Sequence, residues 1–314
     1  AVGSFLGCTQ VEVRPVSGQM ANKAVFSGIV DYRNRYRRGE PGRLRHVINN
    51  DLGRGGHLSA QYMGALRHFV RKDPTSERPA VASFPVQPDN AYRIDVEGTK
   101  GLIDEVAPDL IVFGKSMVLH PEPAKEIADY VSDRESRPLI MYDMAHVLGL
   151  AGPALQDPFD DGADLVTGST HKTFYGPQRG IIASNMSEST FYRPLWDHIQ
   201  KEVFPGDVSN HHLGTLLGLL GSCYEMLAFR DEYPQQVIRN AKAFARALHQ
   251  AGVGVEGDPD VDFTETHQVI LNVGRGRGPE TACLLEQNNL VVNYQALPSD
   301  ASFTDASGLR MGTQ

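Results

Sequence analysis

Through the middle of the chain, short continuous apolar runs alternate with stretches whose apolar residues recur every three or four positions. Parallel strands joined by crossover helices read this way in a sequence. Residues 109–114, with the apolar run Leu110-Ile111-Val112-Phe113 between Asp109 and Gly114, predict a fully buried strand, and residues 123–133 carry Ala124, Ile127, Ala128 and Val131 at helical spacing. A second strand is expected at 138–143, after a charged turn, and further strands at 163–167 and 180–183, with Gly and Pro marking the turns. Residues 213–229 are strongly apolar and predict a core helix, while Val237, Ala241, Phe244, Ala245 and Leu248 make one stripe on a second helix. After Gly252 the pattern becomes strand (268–273), helix (279–288) and strand (290–293), as a smaller second domain would. The expectation is an α/β fold with a large domain over 1–235 and a small one over 236–314, the boundary lying between 230 and 255.

Composition narrows the function classes. With 314 residues, 41% of them hydrophobic, the chain can bury a large core. A net charge of -8 leaves no broad basic field, which argues against a nucleic-acid binder that works by neutralising phosphates. Cys8, Cys223 and Cys283 are too few and too scattered for a disulfide framework or a metal site, and are expected to be buried thiols in a reducing compartment. No run approaches the roughly 18 apolar residues of a membrane span, and no charged segment followed by an apolar one opens the chain, so a cytoplasmic protein is expected. The chain begins at Ala1 in structured-looking sequence, which suggests a processed or truncated polypeptide. Residues 274–278 (Gly-Arg-Gly-Arg-Gly) read as a solvated loop, and there is no internal repeat.

The chemistry concentrates in two windows, 141–146 (Met-Tyr-Asp-Met-Ala-His) and 169–173 (Ser-Thr-His-Lys-Thr). Ligands of open α/β sheets sit beyond the carboxyl ends of the strands, so Asp143 at one strand end and Lys172 just after another can face one crevice. An amine for covalent attachment and a carboxylate to hold a ring nitrogen protonated are what pyridoxal phosphate requires. Spacing alone leaves a plainer alternative open, in which Asp143 caps a helix and Lys172 is a surface lysine.

These windows, with Gly176-Pro177, resemble the core of the serine hydroxymethyltransferase family, pyridoxal-phosphate enzymes of the aspartate aminotransferase fold type. Other windows agree in order: Ser17-Gly18 with Ala21-Asn22, residues 55–58, Ser116, residues 203–206, and residues 307–313. The resemblance implies fold type I, with a mostly parallel seven-stranded sheet and part of a small C-terminal α/β domain. It implies that Lys172 carries the cofactor, that Asp143 pairs with the ring nitrogen, that His146 sits near the phenolic oxygen, and that His57 stacks on the ring. Ser17, Gly18 and Gln19 would hold the phosphate at a helix N-terminus, where Ser17 as a plain helix cap is the alternative. Ser169 and His171 would support the phosphate or the lysine linkage. Arg310 would clamp the substrate carboxylate, and Ser116 would lie near that carboxylate or the phenolic oxygen.

The resemblance has departures. The expected Ser-Gly-Ser-Gln is Ser17-Gly18-Gln19-Met20, Gln178 precedes Arg179 after Gly-Pro, Ser209 and Asn210 replace a glycine pair, and Gln295 stands for the asparagine that meets the folate pterin. The family's N-terminal tyrosines and glutamate and the rest of its C-terminal domain are not in this sequence. An intact aldol set beside a changed folate pocket is similar to the threonine transaldolases. The expected activity is therefore cleavage of L-threonine or L-serine with transfer of the glycyl unit to an aldehyde. Folate-dependent hydroxymethyl transfer is the alternative, with tetrahydrofolate left open as a second cofactor, and a non-catalytic scaffold is the alternative from another class. No metal is expected. The expected partners are a small amino acid, an aldehyde and a second copy of the chain.

Overall fold

The structure, a computed structural model, describes residues 1–36, 39, 42–186 and 193–314. Its α-helices are α1 (Val2–Leu6), α2 (Gly18–Asn34), α3 (Val96–Val106), α4 (Ala124–Val131), α5 (Arg193–Lys201), α6 (Leu213–Ala228), α7 (Glu232–Gln250) and α8 (Gly278–Gln287). The strands are β1 (Gln10–Glu12), β2 (Val47–Asn49), β3 (Val81–Ser83), β4 (Leu110–Phe113), β5 (Leu139–Asp143), β6 (Leu165–Ser169), β7 (Gly180–Ser184), β8 (Gly254–Val255), β9 (Gln268–Asn272), β10 (Asn293–Gln295) and β11 (Gly308–Gly312).

Seven strands form one sheet in the order β1-β7-β6-β5-β4-β2-β3, and β7 runs against the other six. The expected mostly parallel sheet is thus present. Its central strands are buried along their whole length because both faces are covered. Ile111, Phe113, Ile140, Tyr142 and Val166 pack on one face with α1, α3 and α4, while Leu110, Val112, Met141 and Leu165 pack on the other with α2 and α5. A second, four-stranded sheet has the order β10-β11-β9-β8. Helix α7 links the two cores, since Val237 joins the large one and Ala241 and Ala245 the small one. Among the described residues no helix is long and apolar enough to cross a membrane.

Some expectations change. Helix α6, expected in the core, buries only Leu219, Cys223 and Met226. An all-round apolar helix shows no period from which to read which face is covered. Of the three cysteines, Cys223 is buried, Cys8 half-buried and Cys283 exposed, because the buried face of α8 is made by Gly278 and Ala282. The strand expected at 290–293 begins only at Asn293, since residues 290–292 leave the sheet and line a cleft.

Candidate active site

Adjacent strand ends build the site. β5 and β6 are parallel neighbours in register Asp143↔Thr167, so Asp143, the last residue of β5, opens beside Ser169, the last of β6, and Lys172 follows within one turn of chain. Gly114, just beyond β4, has φ +152°, and a Cβ there would lie 2.8 Å from the Cβ and the carbonyl oxygen of Asp143, so only glycine lets the chain pass. The Gly114 carbonyl accepts the His57 N–H at 3.1 Å, which stitches the His57 turn onto this end of the sheet. The N-terminus of α2 meets the end of β6: a Cβ on Gly18 would sit 2.6 Å from Ser169 Oγ.

Asp143 is buried, and its Oδ2 accepts from Asn22 Nδ2 at 2.8 Å and contacts His57 Nδ1 at 2.5 Å, while Oδ1 accepts the Ala145 N–H at 3.1 Å. Asn22 is itself held by the Thr167 hydroxyl at 2.6 Å and donates to Ser59 Oγ at 2.7 Å. Burial alone would raise the Asp143 pKa, but the charge and hydrogen bond of His57, with the other donors, outweigh it and hold the carboxyl below its usual range. The sign follows: the ionised carboxylate stabilises the fold above the pKa of an unfolded aspartate, about 4, and this contribution is lost as pH falls through the lower folded value. Asp143→Asn is expected to reduce the acid dependence of stability below pH 5; thermal melts from pH 3 to 7 superimposing in shape on those of the unaltered protein would refute this.

Lys172 Nζ donates to Ser169 Oγ at 3.3 Å. Its pKa is lowered by burial and by Arg310, against an opposing pull from Asp143. Burial, Lys172 and His57 push His146 well below the usual histidine range, so its imidazole is neutral. The rings of His57 and His146 meet edge to face with centroids 5.3 Å apart. Arg310, on β11, donates from Nη1 to the Ser116 carbonyl at 3.0 Å, and Gln268 Nε2 donates to the same oxygen at 3.0 Å. No carboxylate pairs with Arg310 among the described residues, and its guanidinium faces a cleft of about 750 Å³ with His146, His171, Lys172 and His267.

The structure brings Lys172, Asp143, His57, His146, Ser169 and Arg310 into one region, although Ser116 serves through its main-chain carbonyl. Ser17 Oγ accepts the Met20 N–H at 3.2 Å, which is the helix-cap arrangement, and Gln19 is exposed and lines a separate cavity of about 360 Å³ with Lys23 and Asp207. Arg179 is buried away from the cleft, donating to the Val13 and His212 carbonyls. Sequence reasoning gave no role to Asn22, Gln268 or His267. Asn22 shares a quoted window but carries no chemical signature of its own, and a histidine before a strand looks like ordinary packing.

The profile of the family described as serine hydroxymethyltransferase matches residues 6–314. The chain belongs to the serine hydroxymethyltransferase family. It is 38% identical over 311 residues to a serine hydroxymethyltransferase of Korarchaeum cryptofilum, covering 96% of this chain and 66% of that protein. It is 40% identical over 308 residues to one of Methanosphaera stadtmanae, covering 97% and 66%. Among solved structures, an L-threonine transaldolase of Pseudomonas fluorescens, determined in its internal aldimine state, superimposes with a TM-score of 0.80 at 26% identity, over 99% of this chain and 64% of that one. The chain thus spans about two thirds of the length of these members of the serine hydroxymethyltransferase family and of the transaldolase.

Proposed function

We propose that this chain carries the main part of a pyridoxal-phosphate enzyme that breaks and forms the Cα–Cβ bond of a β-hydroxy amino acid, L-threonine or L-serine. The observation that carries the reading is a guanidinium without an acidic partner among the described residues, Arg310, sharing one cleft with the amine of Lys172, whose pKa burial lowers. The residues fit the cofactor. Lys172 supplies an amine with a raised neutral fraction, Asp143 a carboxylate held ionised, and the α2 N-terminus at Gly18 stands against Ser169, where main-chain N–H groups would hold the phosphate. Pyridoxal phosphate, when bound, supplies a ring that accepts the electrons left on the substrate carbon.

The chain's own groups do the rest. Lys172 Nζ offers its lone pair for attachment. Asp143, held ionised, would keep a proton on the ring nitrogen, and His57, at its side, would lie against the ring. His146, held neutral by burial, would stand near the phenolic oxygen without adding charge. Ser169 supports the lysine, with His171 on the same turn. Arg310 takes the substrate carboxylate in a planar fork and so orients the bond to be broken.

The acceptor divides two readings. Transfer of the glycyl unit to an aldehyde is supported by Gln295 at the pterin position, by the apolar cleft rim at Leu290, Val291 and Val292, and by the likeness to the transaldolase. Folate-dependent hydroxymethyl transfer is favoured by the names of the curated relatives. The full-length protein assayed with L-threonine plus an aromatic aldehyde, and separately with L-serine plus tetrahydrofolate, decides between them; turnover only in the second excludes the first. A scaffold without catalysis has no use for Lys172, Asp143 and Arg310 together, and inactivity in both assays would favour it.

We also propose a homodimer and a division into a large and a small domain along α7. Leu213, Leu217, Leu220 and Tyr224 are exposed and form one stripe along α6, which a second copy would cover. Leu217→Asp is expected to shift the protein to monomer in sedimentation, and an unchanged sedimentation coefficient speaks against this face.

A further inference from the structure

We infer that His267 is a second anchor of the substrate carboxylate, donating a hydrogen bond from Nε2 beside Arg310. This rests on the reading that the cleft takes an amino acid. His267 immediately precedes β9, and its main-chain carbonyl accepts the Thr313 N–H at 3.0 Å and the Thr313 hydroxyl at 3.3 Å. These bonds tie it to the end of β11, the strand that carries Arg310. Its side chain is buried, with the residue 4% exposed, yet it lines the same cleft as Arg310, His146 and Lys172.

Neither ring nitrogen of His267 has a hydrogen-bond partner among the described residues, and Nδ1 is shut off from solvent as well. Nε2 is therefore the nitrogen that opens on the cleft. A buried N–H without an acceptor costs more than a lone pair without a donor, which assigns the proton to Nε2 and leaves Nδ1 bare. Burial and Arg310 push the His267 pKa down to about 3, so the ring is a neutral donor throughout the neutral range.

A neutral N–H and a guanidinium have nothing to offer each other, because both donate. An anion between them satisfies both. Arg310 already commits one N–H to the Ser116 carbonyl, so a carboxylate docked on it has lone pairs left for a further donor. A base for the β-hydroxyl would need a lone pair facing the cleft, and this tautomer presents a hydrogen instead.

The test uses the full-length, cofactor-loaded protein and two amines, glycine and methylamine, which is glycine without its carboxylate. Calorimetric titration is expected to show glycine binding weakened about ten- to a hundredfold in His267→Ala and His267→Phe, with methylamine binding unchanged. His267→Gln, which keeps an N–H donor, should recover much of the loss, and cofactor content should stay at its original level in all three. Should the alanine variant fail to fold, the phenylalanine variant, which keeps a ring without the donor, carries the comparison. Unchanged glycine affinity in His267→Phe, or equal weakening of both amines, overturns the inference. Failure of the unaltered protein to bind glycine overturns instead the functional reading on which it rests, and this inference with it.

Discussion

Replacing Lys172 with alanine is expected to remove the visible absorption of the purified protein and to lower turnover of the β-hydroxy amino acid by about a thousandfold or more. The amine stands in partly buried surroundings, one hydrogen bond from Ser169, with Arg310 adding positive potential, and both burial and that charge favour its neutral, nucleophilic form. No other lysine lines the cleft among the described residues, so nothing takes over the attachment. Absorbance spectra and steady-state rates of Lys172→Ala check the expectation; a variant that stays coloured after dialysis and turns over normally would show that the cofactor is held elsewhere. Lys172→Arg separates charge from chemistry, because a guanidinium keeps the positive charge and cannot be deprotonated here.

The second large effect is expected at Arg310. Removing one partner of a desolvated charge pair costs about 2–5 kcal/mol, so Arg310→Ala should weaken amino-acid binding by roughly thirtyfold to several thousandfold. Cofactor content should be preserved, since the guanidinium hydrogen-bonds to the Ser116 carbonyl and not to Asp143 or Ser169. Arg310→Lys is expected to recover only part, as an ammonium is a point charge without the planar fork. A KM for L-threonine or L-serine that barely moves in Arg310→Ala would remove this residue from substrate binding, and with it the main support for an amino-acid substrate.

How much of this was legible in the sequence differs residue by residue. Asp143 and Lys172 could be paired because they follow consecutive parallel strands, and in that topology the ends of neighbouring strands are neighbours in space. Arg310 was reachable only through the family resemblance, because it arrives from the second sheet and nothing near it in the chain points to the first. His267 and Asn22 were not legible. What distinguishes them is a buried ring without partners and a carboxamide bridging Asp143 to Thr167, and both are facts of packing. The same holds for α6, whose uniform apolarity suggested burial while the fold leaves Leu217 and Tyr224 exposed.

By itself, then, the amino-acid sequence determined the α/β class, the central strands, the order of strand and helix in the second unit, and the Asp143 and Lys172 pair, because periodicity and strand-end placement act over a few residues of chain. Only the tertiary structure decided the reversed direction of β7, the exposed stripe of α6, the His57 contact with Asp143, and the meeting of Arg310 and His267 in one cleft. Those features depend on contacts between segments far apart in the chain, where the cost of burying a charge or an imidazole is set by what the folded chain places next to it.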